Sequence, residues 1–458
     1  AGRHAARAIR PCVPAALSAS AAHLGEGPAH VRALATPIVR ERRDAKMFKG
    51  QNLAALVGGL LFVCALIILA EMHAIGSIAK GSDGPEDADR SAQPPASRLR
   101  GAAAARGEAA KAGQAGDAGA AEPLVPSFPT PPEMRHRACV NRQYDLDALP
   151  RVTLVIPYLN ETWFHISRTV ASMLAHTPLD LVDEFLFIDD GNSKEWQFHD
   201  KLHAMHPKIR VHRNEERQGL IRSKVIGAAM VKSPVLFFME PHCIVARQWL
   251  EPLLENLAGS AEHSLLVMPT LDIIPENDFN VYRNANHHIG GFDWSLTFNW
   301  MTLIEQRNRT YRYPEPYPTP ALSGGIFGIW RDFWERSGTY DTNMTEWGGE
   351  HIEMSLRTWR CGGRIVVVPC SHMGHVFRAK NPYVVHPMEV LKNAKRAALV
   401  WLDDRLEDFY REMPLARKLD AGDVTERLRL KESLHCQSMA WYIANIYPEL
   451  NEKQPRRR

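Results

Sequence analysis

The chain has 458 residues, with 55 Lys and Arg against 52 Asp and Glu and a net charge of +3. That length accommodates one large or two ordinary domains. So small a charge, with the basic residues not gathered into a patch interleaved with aromatics, excludes a nucleic-acid partner.

In chain order, the first informative stretch is Leu53 to Ala70, LAALVGGLLFVCALIILA, eighteen residues without a charge. This length just reaches that needed to span a bilayer, and it is too long for the apolar core of a cleaved signal peptide. Arg40, Arg42, Arg43, Lys46 and Lys49 precede it, and Glu71 and His73 follow it. The positive-inside rule then places the N-terminus in the cytosol and the rest in a lumen, on a single-pass anchor. The chain opens on Ala1, and Met47 stands in a signal-anchor position. Residues 1–52 are therefore predicted to be a cytoplasmic tail, of which 1–46 are read as untranslated, with 53–70 the anchor. Residues 71–137, rich in Ala, Gly, Pro and Ser, carry no helical or strand period and predict a disordered stem.

From about residue 150 the pattern changes. Val152–Pro157, Phe185–Ile188, Ile209–Val211, Val235–Met239 and Leu265–Pro269 are short apolar runs. Helix-like stretches at Thr162–His176, Lys194–His206 and Gly219–Val231 separate the first four. The alternation predicts an α/β fold, with a mostly parallel, Rossmann-like sheet flanked by helices. Ligands of such sheets bind beyond the carboxyl ends of the strands, which directs attention to three positions. Tyr158-Leu-Asn160-Glu161 ends the first run, and Asp189-Asp190-Gly191-Asn192 ends the second. The second reads equally as a hold on a ribose or base and as an Asp-Gly turn. The fourth run ends in Glu240-Pro241-His242. Residues two apart on a strand point the same way, so this is either a divalent-metal pair or a strand end with a solvated Glu and a capping His. No glycine-rich phosphate loop follows any of these runs, which opposes a dinucleotide-binding fold or a P-loop.

The second half clusters aromatics at Gly290-Gly-Phe292-Asp-Trp294 and Thr297-Phe-Asn-Trp300, then a Pro/Tyr-rich stretch from Tyr311 to Pro320. Such clusters read as core or, less often, as a platform for carbohydrate or peptide. Ser323-Gly324-Gly325, where the backbone can approach a ligand closely, precedes a further apolar run. Trp347-Gly-Gly-Glu350 opens a helix, and Gly374-His375-Val-Phe377-Arg378 follows. Five cysteines (139, 243, 361, 370 and 436) lie in this region; lumenal thiols pair, and five leave one over.

Taken in order, Asn160-Glu161, Asp189-Asp190, Arg217-Gln-Gly219-Leu-Ile-Arg222, Glu240-Pro-His242-Cys243, Gly291-Phe-Asp-Trp294, Gly324-Gly325, Trp347-Gly-Gly-Glu350, Trp359-Arg-Cys361 and Cys370-Ser-His-Met-Gly-His375-Val-Phe-Arg378 resemble the polypeptide N-acetylgalactosaminyltransferases, which initiate mucin-type O-glycosylation in the Golgi. The resemblance runs over roughly residues 136 to 450. It implies a glycosyltransferase A (GT-A) domain at 138–450, a basic tail at 451–458 and no C-terminal lectin domain. It also implies a Golgi membrane location with the domain lumenal. The implied activity is retaining transfer of GalNAc from UDP-GalNAc to Ser/Thr hydroxyls of a polypeptide acceptor, dependent on Mn2+. By position, Glu240, His242 and His375 would hold the metal. Asp190, Arg217, Ser323, Gly324, Gly325, Trp347 and Tyr383 would contact the donor. Glu350, Arg378 and Trp347 would serve the chemistry, and Phe292, Trp294 and Phe377 would line the acceptor groove. The implied disulfides are Cys139–Cys370 and Cys361–Cys436, with Cys243 free. Three positions depart from the family pattern: Glu240 stands where an Asp is usual, His351 where an Asn is usual, and Pro157 where a Thr is usual. The first two leave open a lumenal pseudoenzyme that kept the fold and lost turnover, and no residue separates GalNAc from other UDP-sugars.

Overall fold

A computed structural model describes residues 130–303, 311–378 and 380–453. The predicted tail and membrane anchor, and the stem as far as residue 129, lie outside the described residues, as does the end of the basic tail. Among the described residues no helix is long and apolar enough to cross a membrane.

The first half alternates as the apolar runs predict. Strands β1 (Val152–Tyr158), β2 (Val182–Asp189), β3 (Ile209–Arg213) and β4 (Val235–Phe238) pair in parallel in the order β3-β2-β1-β4. Helices α1 (Trp163–His176), α2 (His199–Met205) and α3 (Leu220–Met230) connect them. Every residue of β1 and β4 is buried, as a sheet covered on both faces requires. Thr162 caps α1, its side chain accepting from the His165 N–H. The single helix expected over Lys194–His206 is instead a 3-10 turn, Lys194–Trp196, and then α2, with Phe198 packing on Trp163 between them.

The second half departs from a mostly parallel sheet. Strand β10 (Phe327–Trp330) inserts antiparallel between β4 and β6 (Leu265–Pro275). Strand β11 (Arg364–Phe377) lies parallel to β6, and β5 (Cys243–Val245) and β9 (Tyr317–Pro318) pair with it antiparallel. The nine-stranded sheet is therefore mixed. The reason is visible in chain order: β10 enters from the Ser323-Gly-Gly segment, with no crossover helix between β6 and it among the described residues. A two-stranded ribbon, β7 (His288–Phe292) with β8 (Phe298–Thr302), stands apart from this sheet.

After β5 the chain forms α4 (Glu251–Ala258), and after β10 it forms α5 (Arg331–Arg336). Helix α6 (Glu350–Arg360) packs on α7 (Pro387–Trp401) and is buried along its whole length. Arg357 and Glu353 sit one turn apart with side chains about 1% and 2% exposed, joined by two N–H···O contacts of 2.9 and 3.0 Å. The same carboxylate accepts from the Trp401 indole of α7 at 3.0 Å. Burying charges is tolerable only when every lone pair and N–H finds a partner, and here the Ser337 carbonyl and hydroxyl oxygens and the Thr339 carbonyl take the three remaining guanidinium protons. Both expected disulfides form, with Cα separations of 5.2 Å for Cys139–Cys370 and 4.2 Å for Cys361–Cys436; Cys243 is free and buried. The Glu353→Ala substitution strands the guanidinium and the indole together. It should cost about 3–5 kcal/mol of stability, read as the shift of a denaturant midpoint; a loss below about 1 kcal/mol contradicts this account of the α6–α7 contact.

Candidate active site

A cleft of about 320 Å³ opens beyond the ends of the parallel strands, where such sheets bind ligands, and its size suits a small-molecule site. Four stretches line it: Pro157–Glu161, Glu240–His242, Ser323–Ile326 and Glu346–His351, with the tail of β11 and its continuation closing the rim.

Strand β4 ends at Phe238, so Glu240 and His242 do not converge by strand alternation. They lie in a turn, and strand β5 starts immediately after it. Cys243 of β5 faces His375 of β11 in the antiparallel register, and the Val376 N–H bonds the His242 carbonyl at 3.2 Å. This pairing brings His375, 135 residues away in sequence, against Glu240: its Nε2 lies 2.5 Å from Glu240 Oε2. His242 Nε2 is 3.2 Å from the same oxygen. One ligand atom from each of the three residues lies within 4.8 Å of the others. One carboxylate oxygen and two imidazole nitrogens suit a borderline divalent ion.

The carboxylate reaches this position because residue 325 is glycine. A Cβ there would lie 2.1 Å from Glu240 Oε1, so the longer side chain occupies space that any other residue at 325 would fill. The departure from Asp is thus absorbed by a side-chain path across Gly325. Burial pushes the Glu240 carboxyl up, but the two imidazoles outweigh it and hold it well below the usual range.

Behind the trio stands Glu161. Its Oε2 meets His242 Nδ1 at 3.1 Å and its Oε1 accepts from Arg378 at 2.8 Å. A carboxylate can only accept, so His242 Nδ1 donates to Glu161, and Nε2, the atom beside Glu240, is the one that would turn to a metal. Burial raises the Glu161 carboxyl, yet His242 and Arg378 bring it down to about 2, and it stays an anion at any ordinary pH. In the sequence Glu161 was legible as the end of the first run and, with Asn160, as part of the resemblance; nothing there announced a contact to His242.

The donor-side residues gather as predicted, with different partners. Asp190 lines the cleft, but its two oxygens already accept four bonds: from Asn214, Ser223 and the Gln218 N–H on one, and from the Gly219 N–H on the other. It shapes the loop that carries Arg217. Arg217 reaches the rim, bonding the Val384 carbonyl at 3.0 Å beneath the Tyr383 ring. Glu346 clasps the same rim segment, accepting from the His386 N–H at 2.9 Å. Ser323, Gly324, Gly325 and Trp347 line the cleft. Ser323 Oγ, Glu350 Oε2 and His375 Nδ1 are buried with no partner among the described residues. Three such orphans around one cleft are what a polar ligand would satisfy. Glu350 opens α6 directly after Gly349, whose φ of +84° a side chain rarely adopts, and its Oε1 lies 3.7 Å from His351 Nδ1.

The aromatic reading needs correction. Phe292 and Trp294 are 0% and 1% exposed and do not line the cleft. Phe292 packs on Tyr442 and Tyr447, and Trp294 lies under Arg405. The wall there is built from Leu296, Phe298 and Trp300, with Phe377 opposite as expected. The turn through Leu296 (φ +60°) joins β7 to β8; the acceptor-groove role of Phe292 and Trp294 had come from the resemblance, by position.

The mixed sheet and the cleft beyond its parallel strands form a GT-A fold, and the comparisons agree. Residues 153–336 match the family model Glycosyl transferase family 2, and residues 307–382 match the N-terminal domain of galactosyltransferase. By sequence the chain is similar to the polypeptide N-acetylgalactosaminyltransferases. It is 40% identical over 324 residues to polypeptide N-acetylgalactosaminyltransferase 14 of Homo sapiens, which covers 70% of this chain and 58% of that protein. It is 37% identical over 330 residues to polypeptide N-acetylgalactosaminyltransferase 12 of Mus musculus, covering 71% and 56%. The crystal structure of GalNAc-T7 with UDP, GalNAc and Mn2+ superimposes with a TM-score of 0.65 at 32% identity, covering 72% of this chain and 62% of that one. The chain spans a little over half the length of these curated relatives.

If Glu161 orients His242, Glu161→Gln should weaken divalent-metal affinity by about 10–100-fold, measured by calorimetric titration with Mn2+. An unchanged affinity removes Glu161 from the site.

Proposed function

We propose that this protein transfers GalNAc from UDP-GalNAc to Ser or Thr hydroxyls of polypeptides, with retention of configuration and dependence on Mn2+. The observation that carries the reading is the Glu240, His242 and His375 trio beside a cleft ringed by orphaned polar atoms. The similarity to polypeptide N-acetylgalactosaminyltransferases, and the UDP, GalNAc and Mn2+ of the GalNAc-T7 structure, support the choice of donor.

The donor set fits Mn2+, which Glu240, His242 and His375 would hold and which would neutralise the charge of a diphosphate leaving group. The remaining work falls to the chain. Arg378, now paired with Glu161, presents a planar guanidinium at the rim where phosphate oxygens need a partner. The rim segment, tied by Arg217 and Glu346, excludes water from the leaving group and so prevents hydrolysis of the donor. The free Glu350 oxygen accepts a hydroxyl proton of the sugar or the acceptor and so orients it. In the transfer, the bond from the anomeric carbon to phosphate breaks as that to the acceptor oxygen forms on the same face. The acceptor proton passes to the departing phosphate, so no protein nucleophile is required. Leu296, Phe298, Trp300 and Phe377 offer the apolar wall along which an acceptor peptide lies.

The same reading includes a type II anchor at 53–70 and a Golgi membrane location with the domain lumenal. The uncharged run and its preceding basic residues support this, as do two disulfides that need an oxidising compartment.

The test is transfer from UDP-GalNAc to a Thr-containing peptide with and without Mn2+, followed by removal of one ligand. The expected result is Mn2+-dependent glycopeptide, with His375→Ala lowering kcat/KM by at least about 100-fold. Retained UDP binding with no transfer from any UDP-sugar would mark a pseudoenzyme, and transfer from a different UDP-sugar would replace the donor.

A further inference from the structure

Lys224 lies in the middle of α3, and its side chain is fully buried. Ammonium groups are almost never buried to this degree unless paired. Lys224 does not line the cleft; it lies beneath the floor. Its Nζ donates to the Gly324 carbonyl at 2.9 Å, the one hydrogen bond it makes among the described residues. The Phe238 ring stands 5.8 Å away. The carboxylates that act on its charge are Glu350 and Glu240, both of which line the cleft. Two of its three protons therefore have no close acceptor, an arrangement that costs stability and that packing alone does not explain.

Glu350 supplies the reason. Its carboxyl is buried, one oxygen has no partner, and its neighbouring imidazole is 3.7 Å away, too far for a full hydrogen bond. An isolated carboxylate in such a site would take up a proton. The groups that face it are His351 on its own helix, Lys224 from α3, and the Tyr340 and Tyr383 hydroxyls. Burial pushes the Lys224 ammonium below its ordinary range, and Glu350 and then Glu240 oppose that fall. Burial drives the Glu350 carboxyl up, and His351 and then Lys224 bring it below the usual range.

We propose that Lys224 is a positioning residue for the transfer reaction, serving two ends at once. Its bond to the Gly324 carbonyl sets the Ser323-Gly324-Gly325 wall of the sugar site, and its ammonium is the counter-ion of the buried Glu350 carboxylate, whose Oε2 has no partner among the described residues. This rests on the reading of the cleft as a UDP-sugar site, but the second part can be tested apart from turnover. Loss of the ammonium raises the Glu350 carboxyl, so the protonated form appears at higher pH and the acid limb of the rate profile moves up with it.

The experiment uses the full chain and three variants: Lys224→Met, which removes bond and charge; Lys224→Gln, which keeps a donor without the charge; and Lys224→Arg, which keeps both. The ionisation of Glu350 is followed in the ligand-free protein as the carboxylate infrared difference between each protein and its Glu350→Gln counterpart. Transfer kinetics and UDP affinity are measured alongside. The Glu350 titration should rise by at least one pH unit in Lys224→Gln and Lys224→Met and stay within half a unit in Lys224→Arg. In the same proteins kcat should fall about 10-fold or more in Gln and Met, with UDP affinity within about 2-fold and with Arg restoring most of the rate. If Lys224→Met does not fold, Lys224→Gln decides the matter. An unshifted Glu350 in Lys224→Gln overturns the proposal whether or not the parent transfers GalNAc. A parent that transfers nothing while the shift is observed overturns the donor reading and leaves the Lys224–Glu350 coupling standing.

Discussion

The arrangement of this protein depends on the pairing of β5 with β11. Without it, Glu240 and His242 are a turn after a buried strand, and His375 is a remote residue on a long edge. With it, three ligand atoms come within 4.8 Å, and the cleft acquires its chemistry. The pairing needs the chain to leave the sheet after β4 and return two strands beyond β6. The Cys139–Cys370 bond fastens the start of the domain to the strand that carries His375.

The charges around the cleft form one connected set. Arg378 holds Glu161, Glu161 fixes the tautomer of His242, and His242 and His375 share Glu240. On the other side Lys224 and His351 flank Glu350. In a low-dielectric site each member raises the cost of losing another, so removing a residue that touches no ligand, such as Glu161, is expected to reach the metal. Gly325 adds a steric condition: its missing Cβ is the space through which the Glu240 carboxylate passes. The Glu240 side chain, one methylene longer than Asp, reaches His242 and His375 through that space.

Much of this was legible before any coordinates. The alternation of apolar runs and amphipathic stretches announced the parallel half, because a strand buried on both faces must read as a continuous apolar run. The second half was harder. An antiparallel insertion such as β10 has the same apolar signature as a parallel strand, and direction is not written in composition. The metal trio could be assembled only through resemblance, since His375 lies 135 residues from Glu240 and no local spacing joins them. Phe292 and Trp294 were misassigned because their acceptor-groove role came from the resemblance, by position. Lys224 and Glu161 were missed for a common reason: each acts through a neighbour distant in sequence. The clue that existed was a lone lysine between Ser223 and Val225 on an apolar helix.

The central claim is that one carboxylate and two imidazoles from β4–β5 and β11 meet on a single ion. The most direct measurement is pulsed electron paramagnetic resonance of Mn2+ added to the protein with UDP, reading nitrogen couplings to the ion. The account predicts two directly coordinated histidine nitrogens, falling to one in both His242→Ala and His375→Ala. A spectrum with no nitrogen coupling, or one indifferent to either substitution, contradicts it.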